Sequence, residues 1–267
     1  MTPAAREPEV ITAWCDGVLR VTLNRPGRGN SLTPAMLGTL CDVLEQARSP
    51  RAVVITGTGR CFSSGGDVGE IHRHATGRES LETYCTGLVG SLNRAILALL
   101  ALPCPVIAAV NGPITGGALG LAVAADIVVM ARSAFIQPYY AKMGFAPDGG
   151  WTAVLPARIG TARTASWLAL DARVSAGEAL EMGLADALVE DEGLDVHIDA
   201  LLAGIADHDP LIALTTRRLL GRTGNKAGHL ADRLEAERLA FLDHVIRPET
   251  FERMVRFLGG ARREVPA

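Results

Sequence analysis

The chain has 267 residues, 48% of them apolar, and a formal net charge of −3 at pH 7. This charge balance lacks the basic excess of a nucleic-acid or membrane-surface binder, so neither partner is expected. The apolar fraction suffices for one large domain with an appendage or for two small domains. Gly, Pro and charged residues interrupt the apolar stretches before they reach the length of a membrane span, and no basic segment precedes an apolar one at the N-terminus. We therefore expect a soluble, cytoplasmic protein.

Predicted strands and helices alternate through the first part of the chain. Val18–Leu23 alternates in polarity and is predicted to form a strand, and Thr33 and Pro34 are suited to begin a helix. Short apolar runs predict buried strands at 51–56, 106–110 and 126–130. Further helices are predicted at 81–102, 116–124, 161–169, 175–182, 194–206 and 210–220. This order is typical of a parallel α/β fold.

Two segments lack a clear place in that pattern. The polar stretch 68–80 shows no regular period and is predicted to be a mobile surface segment. The segment 231–258 is rich in apolar residues and is predicted to pack on the core or on a neighbouring subunit. The five cysteines contain no C-x-x-C pair, so no metal site or disulfide framework is expected.

Two glycine-bearing segments, 61–67 and 111–118, each follow a predicted strand and lead into a probable helix. Backbone N–H groups at a helix N-terminus can stabilise a carbonyl oxygen that becomes negative during a reaction. Because parallel α/β folds place ligands at strand-to-helix turns, we interpret the two segments as halves of one oxyanion site. Each segment alone is also typical of an ordinary tight turn before a helix.

Several motifs occur in a fixed order around these loops. They are Leu23-Asn24-Arg25-Pro26 with Asn30-Ser31-Leu32, Phe62 to Asp67, Pro105 to Gly112, and Ala172-Arg173 to Gly183-Leu184. In this order and at these intervals they resemble the successive signatures of the enoyl-CoA hydratase/isomerase (crotonase) superfamily. The resemblance covers residues 10–206 and continues more loosely through the C-terminal helices.

The resemblance implies an α/β fold, a spiral of repeated ββα units, followed by a C-terminal helical region for oligomerisation. Residues 1–206 would form the acyl-CoA-binding core, and residues 207–267 would assemble trimers or dimers of trimers. The expected ligand is an acyl-CoA thioester, with coenzyme A as part of the substrate and no separate cofactor. No metal is required.

The resemblance also assigns roles to the loops. The two oxyanion N–H groups would be those of Gly66 and Gly117, with Gly65 and Gly116 beside them in the substrate-binding loops. The carbonyl of Ser64 would accept a hydrogen bond from the adenine of coenzyme A.

Cations for the phosphates of coenzyme A are expected near the first loop. Arg25 and Arg28 occupy the corresponding region, and Arg262 or Arg263 could contribute a charge from a neighbouring subunit. Exposed arginines are, however, more often simply solvated.

The chain departs from the hydratase pattern at its two catalytic glutamates. Their places hold Gly120 and Tyr139, and neither residue can activate water as a carboxylate does. Both are retained as candidate substrate-binding residues. Gly120 could instead serve helix packing or enlarge the pocket, and Tyr139 could be a buried aromatic residue.

Asp148 is the remaining candidate base. It lies in Gly144-Phe145-Ala146-Pro147-Asp148-Gly149-Gly150, which is similar to a stretch of family isomerases in which the aspartate is the catalytic base. Pro-Asp-Gly-Gly is also a strong turn signal in its own right.

The sequence therefore predicts Δ3,Δ2-enoyl-CoA isomerisation with Asp148 as the base. The alternatives are hydration or another crotonase reaction that uses Glu70, Tyr139 or an unplaced residue. A further alternative is a catalytically silent protein that binds acyl-CoA.

Overall fold

The computed structural model describes residues 7–220 and 226–261. Within them the strands are β1 Val10–Cys15, β2 Val18–Leu23, β3 Ala52–Gly57, β4 Val106–Val110, β5 Ile114–Thr115, β6 Ile127–Ala131, β7 Phe135–Gln137, β8 Val174–Ser175 and β9 Ala187–Val189. The helices are α1 Pro34–Gln46, α2 Val68–His74, α3 Arg78–Ala101, α4 Leu119–Val123, α5 Tyr140–Met143, α6 Pro156–Ile159, α7 Thr161–Leu170, α8 Ala176–Glu181, α9 Leu194–Ala206, α10 Pro210–Leu219, α11 Lys226–Val245 and α12 Pro248–Ala261.

The strands form two sheets. The larger has the order β1-β2-β3-β4-β6-β9, with β1 and β2 antiparallel and the other neighbours parallel. The smaller has the order β5-β7-β8. Because parallel neighbours end at the same edge of a sheet, the segments that follow β3 and β4 are brought together.

The central strands of the larger sheet are buried on both faces. Val53 and Ile55 of β3 pack in the core cluster that also contains apolar residues of α1 and α3. Ala52 and Val54 point to the opposite face and pack with Ile198 of α9. Helices on both faces explain why these strands read as continuous apolar runs in the sequence.

The two glycine segments are joined by backbone hydrogen bonds. The N–H of Ser63 donates to the carbonyl of Pro113 at 3.2 Å, and the N–H of Thr115 donates to the carbonyl of Ser63 at 3.0 Å. The N–H of Leu32 donates to the carbonyl of Gly65 at 2.7 Å, which fixes the first segment against the chain before α1. The two glycine segments are therefore connected directly to each other by hydrogen bonds.

The prediction of an irregular segment at 68–80 is wrong. Residues 68–74 form α2, and α3 begins at Arg78. The carboxylate of Asp67 accepts the N–H of Glu70 at 3.2 Å and so caps α2. Ile71 is the buried side chain of α2, which explains why an apolar period is not visible in so short a helix.

The C-terminal helices pack on the core. Leu234, Phe241, Val245 and Met254, from α11 and α12, belong to the same buried cluster as the residues of α1 and α3. The Asn93 side-chain amide of α3 donates to the carbonyl of Leu234 at 2.9 Å. Residues beyond the predicted boundary at 206 thus contribute to the same hydrophobic core.

Among the described residues, α3 is long and apolar enough to cross a membrane by length and composition. Half of its most apolar window is buried inside the molecule. Its buried side chains, which include Leu92, Ile96 and Leu99, pack in the core that α1 and α11 also contribute to. α3 therefore has the surroundings of a helix in the core of a globular protein.

The turn at residues 148–150 packs directly on the backbone of the chain at the start of α4. A Cβ atom added to Gly120 would lie 2.1 Å from the carbonyl oxygen of Gly149, and one added to Gly149 would lie 2.3 Å from that of Gly117. The φ angle of Gly149 is +61°, which other residues rarely adopt. Glycines therefore permit this backbone-to-backbone contact.

We expect Gly120→Ala to lower the free energy of unfolding by roughly 1–3 kcal/mol, because the added methyl group overlaps a buried carbonyl. Gly38→Ala in α1 is the matched control, since a Cβ there meets no atom within 4 Å. It should raise the free energy of unfolding by about 0.5–1 kcal/mol, the usual gain in a helix interior. Urea denaturation of both variants measures the difference, and equal stabilities would contradict the close approach.

Candidate active site

A cavity of about 310 Å³ lies between the two glycine segments, α5 and the C-terminal helices. One wall consists of the backbone of residues 64–66 and 115–117. Much of the remaining wall is aromatic. Phe241 of α11 and Phe257 of α12 contribute to it. The other aromatic lining residues are Phe135, Tyr139, Tyr140 and Phe145. The cavity thus combines a polar backbone strip with an apolar pocket, as ligand sites commonly do.

Gly66 and Gly117 both border this cavity. The bridge between residues 32 and 66 uses the carbonyl of Gly65 and the N–H of Asp67, so the N–H of Gly66 between them takes no part in it. Gly117 is the second residue of the short 3-10 helix Gly116–Ala118, where N–H groups have no partner within the helix. Neither N–H donates to another described residue, so both can bind an oxyanion.

Asp148 borders the cavity and is only 7% exposed. The hydroxyl of Tyr140 donates to its Oδ1 atom at 2.6 Å and to its backbone carbonyl at 3.0 Å. Burial raises the pKa of the carboxyl from its ordinary 3.8 to about 7. The hydrogen bond from Tyr140 lowers this pKa, whereas the negative charge of Glu237 raises it further. Such a carboxylate is a far stronger proton acceptor than an exposed one.

The carboxylate of Asp148 lies directly over Gly117. A Cβ atom added to Gly117 would be 2.7 Å from Oδ1 of Asp148 and 2.8 Å from Cδ2 of Leu92. A thioester whose oxygen is bound by the Gly117 N–H would therefore have its neighbouring carbon atoms close to this carboxylate. That arrangement is suited to proton abstraction next to a carbonyl group.

The turn that carries Asp148 is supported by residues that the sequence analysis did not identify. Glu237 of α11 accepts hydrogen bonds from the N–H groups of Gly150 and Thr152 at 2.7 and 2.6 Å. The indole N–H of Trp151 donates to the carbonyl of Gly116 at 2.8 Å. One sequence signal for Glu237 was present, because a glutamate occupies the apolar helical stripe of residues 234, 241 and 245.

The loop residues predicted to bind substrate border the cavity. Gly65 and Gly116 line the cavity with φ angles of +79° and +54°. Ser64 also lines the cavity and is exposed at its rim. Tyr139 borders the cavity in a left-handed conformation with φ +61°, and its ring meets that of Phe257 edge-on.

Gly120 is not part of the cavity lining, although it was predicted among the substrate-binding residues. Its Cα faces the carbonyl of Gly149, so it serves packing and adds no pocket volume. Glu70, the reserve candidate for acid/base chemistry, is also outside the lining and pairs with Arg73.

The predicted phosphate-binding arginines are engaged with protein groups. Arg25 donates to the hydroxyl of Ser31 at 3.0 Å and to Asp67 at 3.2 Å, and its side chain is mostly buried. Arg28 is half exposed and lies 3.6 Å from Asp67. Neither residue lines the cavity. Arg262 and Arg263 lie outside the described residues.

Asp67 anchors the first glycine segment at its end. Burial disfavours its charge, but the N–H of Glu70, the hydroxyl of Ser31 and the guanidinium groups of Arg28 and Arg25 together lower the pKa of its carboxyl below the ordinary value. Asp67 therefore stays ionised and braces the loop beside Gly66.

Comparison with known proteins identifies the family. The model of the enoyl-CoA hydratase/isomerase family matches residues 14–253. The chain belongs to this family, which confirms the family and the fold predicted from the sequence motifs.

Two relatives represent different activities within the family. The chain is 38% identical over 248 residues to a probable enoyl-CoA hydratase of Mycobacterium bovis, covering 89% of this chain and 85% of that one. It is 37% identical over 186 residues to the 1,2-epoxyphenylacetyl-CoA isomerase of Escherichia coli, covering 67% of this chain and 68% of that one.

Solved structures agree with this assignment. An enoyl-CoA hydratase from Mycobacterium avium subsp. paratuberculosis superposes with a TM-score of 0.81 at 28% identity, covering 97% of this chain and 98% of that one. A putative enoyl-CoA hydratase from Thermobifida fusca in complex with CoA superposes with a TM-score of 0.72 at 27% identity, covering 88% of this chain and 95% of that one.

The raised pKa of Asp148 should be measurable as a pH dependence of stability. The folded carboxyl holds its proton up to about pH 7, whereas the unfolded one loses it near 3.8. This group's contribution to the free energy of unfolding therefore falls as the pH rises through that window. Asp148→Asn removes the effect, so the variant should gain up to about 4 kcal/mol relative to the wild type between about pH 4 and pH 8.

Chemical denaturation of both proteins across this range tests the prediction. Taking the difference between the two cancels the titration of groups that the substitution does not affect. A difference that does not change with pH would contradict a raised pKa at Asp148.

Proposed function

We propose that this protein catalyses Δ3,Δ2-enoyl-CoA isomerisation by proton transfer through a thioester enolate. The observation that carries the proposal is the position of Asp148. Among the described residues it is the one carboxylate in the cavity lining, and it lies over Gly117, one of the two glycines proposed to bind the thioester oxygen.

The two amides act on the thioester oxygen. The α-proton of a thioester is too weakly acidic for fast removal unless the negative charge that forms on the oxygen is stabilised. Each well-placed N–H donor contributes about 10²–10³ in rate. The N–H groups of Gly66 and Gly117 supply two such donors without any side-chain rearrangement.

Asp148 moves one proton across the substrate. Its carboxylate takes a proton from C2 of a 3-enoyl-CoA, and the electron pair of that C–H bond becomes shared between the thioester oxygen on one side and, through the C3=C4 double bond, C4 on the other. The same carboxyl group then returns the proton to C4, and the double bond lies between C2 and C3. The reaction requires no water, no redox step and no metal.

The ionisation of Asp148 suits this role. A carboxyl whose pKa lies at about 7 is ionised for much of the time at neutral pH and yet holds a proton long enough to return it. Tyr140 fixes one carboxylate oxygen through the bond of 2.6 Å, so Asp148 can act from a defined direction.

Water addition is less well supported by the site. The place of one hydratase glutamate is Gly120, where the carbonyl of Gly149 fills the space of a side chain. The place of the other is Tyr139, which carries no carboxylate. Several relatives are nevertheless named hydratases, and hydration is the second reaction to be tested.

The coenzyme A portion is proposed to lie at the rim near Ser64, whose carbonyl would accept the adenine amino group. The related structure from Thermobifida fusca in complex with CoA supports an acyl-CoA ligand. Since Arg25 is occupied by Asp67 and Ser31, Arg28 is the better candidate for a phosphate contact. A cytoplasmic location remains a prediction from the sequence.

The chain is also proposed to assemble as a trimer or a dimer of trimers. Leu211, Ile212 and Leu219 of α10 are 60%, 64% and 80% exposed and form an apolar surface without a partner among the described residues. Light scattering should give three or six times the chain mass of 28.1 kDa. A monomer mass at working concentration would contradict the assembly.

The activity test uses 3-enoyl-CoA and, separately, 2-enoyl-CoA as substrates. The first should be converted to the conjugated thioester without a change in mass, and the kcat/KM should rise with pH to a plateau with a midpoint of about 7 as Asp148 ionises. Asp148→Asn should lose at least about 10³-fold in kcat, since it removes the base. Glu70→Gln is the matched control and should retain full activity.

Three results would contradict the proposal. Asp148→Asn could keep full isomerase activity, or the wild type could add water to 2-enoyl-CoA and leave 3-enoyl-CoA unchanged. Tight binding of both thioesters without turnover would identify a silent acyl-CoA-binding protein.

A further inference from the structure

Glu237 is a buried carboxylate whose hydrogen bonds, in the part of the chain that the structure describes, go to the turn after Asp148. It is 4% exposed and lies on α11, 89 positions after Asp148 in the chain. Its Oε2 accepts the N–H of Gly150 at 2.7 Å. Its Oε1 accepts the N–H and hydroxyl of Thr152 at 2.6 and 2.7 Å and the N–H of Ala153 at 2.8 Å.

The turn needs such an acceptor. The carbonyl of Gly150 accepts the N–H groups of Val154 and Leu155, so a helical turn begins at Gly150 and leads towards α6. The first N–H groups of a helical turn have no partner within it and require an acceptor from elsewhere. Glu237 supplies both of its oxygens from a distant helix, in the role that an N-cap side chain has in an ordinary helix.

Within residues 7–220 and 226–261, the charge of Glu237 is not balanced by an ion pair. Among the described residues no lysine or arginine forms a salt bridge with it, and Arg233 on the same helix donates instead to the carbonyl of Thr152. A buried carboxylate without a cation depends on its hydrogen bonds. The side chain and the turn are therefore mutually dependent, and these hydrogen bonds leave the turn little freedom to move.

This turn determines where the carboxylate of Asp148 lies. Asp148 directly precedes Gly149 and Gly150, which have φ angles of +61° and +84° and pack against the start of α4. A displacement of the turn by about 1 Å would move the base away from a substrate carbon, and such misplacement can cost about 10²-fold in rate.

We propose that Glu237 is a positioning residue of the reaction, which holds the turn 149–153 from the C-terminal helix so that the Asp148 carboxylate stays over Gly117. The assignment rests on the proposed role of Asp148 as the base. It also gives the C-terminal helical region a part in the site beyond covering the core.

Several titratable groups face this pair of carboxylates from the surrounding elements. Tyr140 of α5 donates to Asp148, and the pKa of Cys85 on α3 is raised to about 12 by burial and by the charge of Asp148. Arg233 of α11 contacts the turn from outside. Tyr140 and Cys85 are neutral near pH 7, because the pKa of each is raised. A substitution of Glu237 therefore removes a negative charge near Asp148 without altering Asp148 itself.

The experiment compares Glu237→Gln with Glu237→Asp and with Glu235→Gln as the control. Glutamine keeps the shape but turns an N–H₂ group towards one of the turn's N–H donors. We expect kcat to fall at least about tenfold with little change in KM, and the midpoint of the kcat profile to move below about pH 7 because a negative charge is gone. Glu237→Asp keeps the charge and should move the midpoint less.

Glu235 lies on the same helix and pairs with Arg238 on the surface, so Glu235→Gln should match the wild type. A Glu237→Gln protein that melts like the wild type and keeps its kcat and pH midpoint would overturn the inference. A loss of kcat that only follows the fraction of unfolded protein, at an unchanged midpoint, would also overturn it.

A measurement without substrate separates this inference from the proposed function. The titration of the Asp148 carboxyl carbon, followed by NMR in the ligand-free protein, should shift to lower pH in Glu237→Gln whatever reaction the protein catalyses. An unchanged titration would overturn the positioning role even if Asp148 proves to be the base. If Asp148→Asn retained isomerase activity, the proposed function would fail while this titration still tested the link between the two carboxylates.

Discussion

The site depends on the direct packing of the turn at 148–150 against the start of α4. A Cβ atom on Gly149 would lie 2.3 Å from the carbonyl oxygen of Gly117, and a Cβ atom on Gly117 would lie 2.7 Å from Oδ1 of Asp148. This contact places a buried carboxylate over an unpaired amide. The same contact fills the space next to Gly120, where a family hydratase would carry a glutamate. One packing arrangement thus positions the proposed base and leaves no room for a second carboxylate at residue 120.

The remaining elements hold the two sides of this contact in place. Parallel pairing of β3 with β4 brings the glycine segments to one edge of the sheet, and Ser63 links them through its backbone. Two buried carboxylates fix the backbone on either side of the site. Asp67 fixes the end of the first glycine segment, and Glu237 fixes the turn after Asp148. Asp67 does so with arginine partners and Glu237 with backbone N–H groups. The fold therefore uses buried acidic side chains as hydrogen-bond acceptors next to irregular backbone.

Local patterns in the sequence were sufficient for much of the fold. The strand at 106–110 and the helix at 194–206 are where the apolar periodicity predicted them, and Thr33 caps α1 through the N–H of Met36. The glycine loops and Asp148 could also be located, because their motifs are contiguous. α2 was missed because it buries a single side chain, Ile71, and is capped by Asp67, and neither feature produces apolar periodicity.

The site residues that were misplaced or missed depend on contacts distant in sequence. Arg25 was expected to bind a phosphate of coenzyme A because of its position in the sequence. Its guanidinium instead donates to Asp67, 42 positions away. Gly120 faces a carbonyl that only the tertiary fold brings close. Glu237 could be recognised only as a polar residue in an apolar helical stripe, with no indication of the turn it binds.

The central claim is that this cavity generates a thioester enolate with Asp148 as the proton acceptor. The most direct measurement is the exchange of substrate protons in deuterium oxide, followed by mass spectrometry and NMR. We expect partial deuterium incorporation at C2 of recovered 3-enoyl-CoA or at C4 of the product, in the fraction of turnovers in which the protonated Asp148 exchanges with solvent before it returns the proton, and no deuterium at either position with Asp148→Asn. Isomerisation or exchange at an undiminished rate in Asp148→Asn would contradict it, as would the absence of exchange and turnover in the wild type.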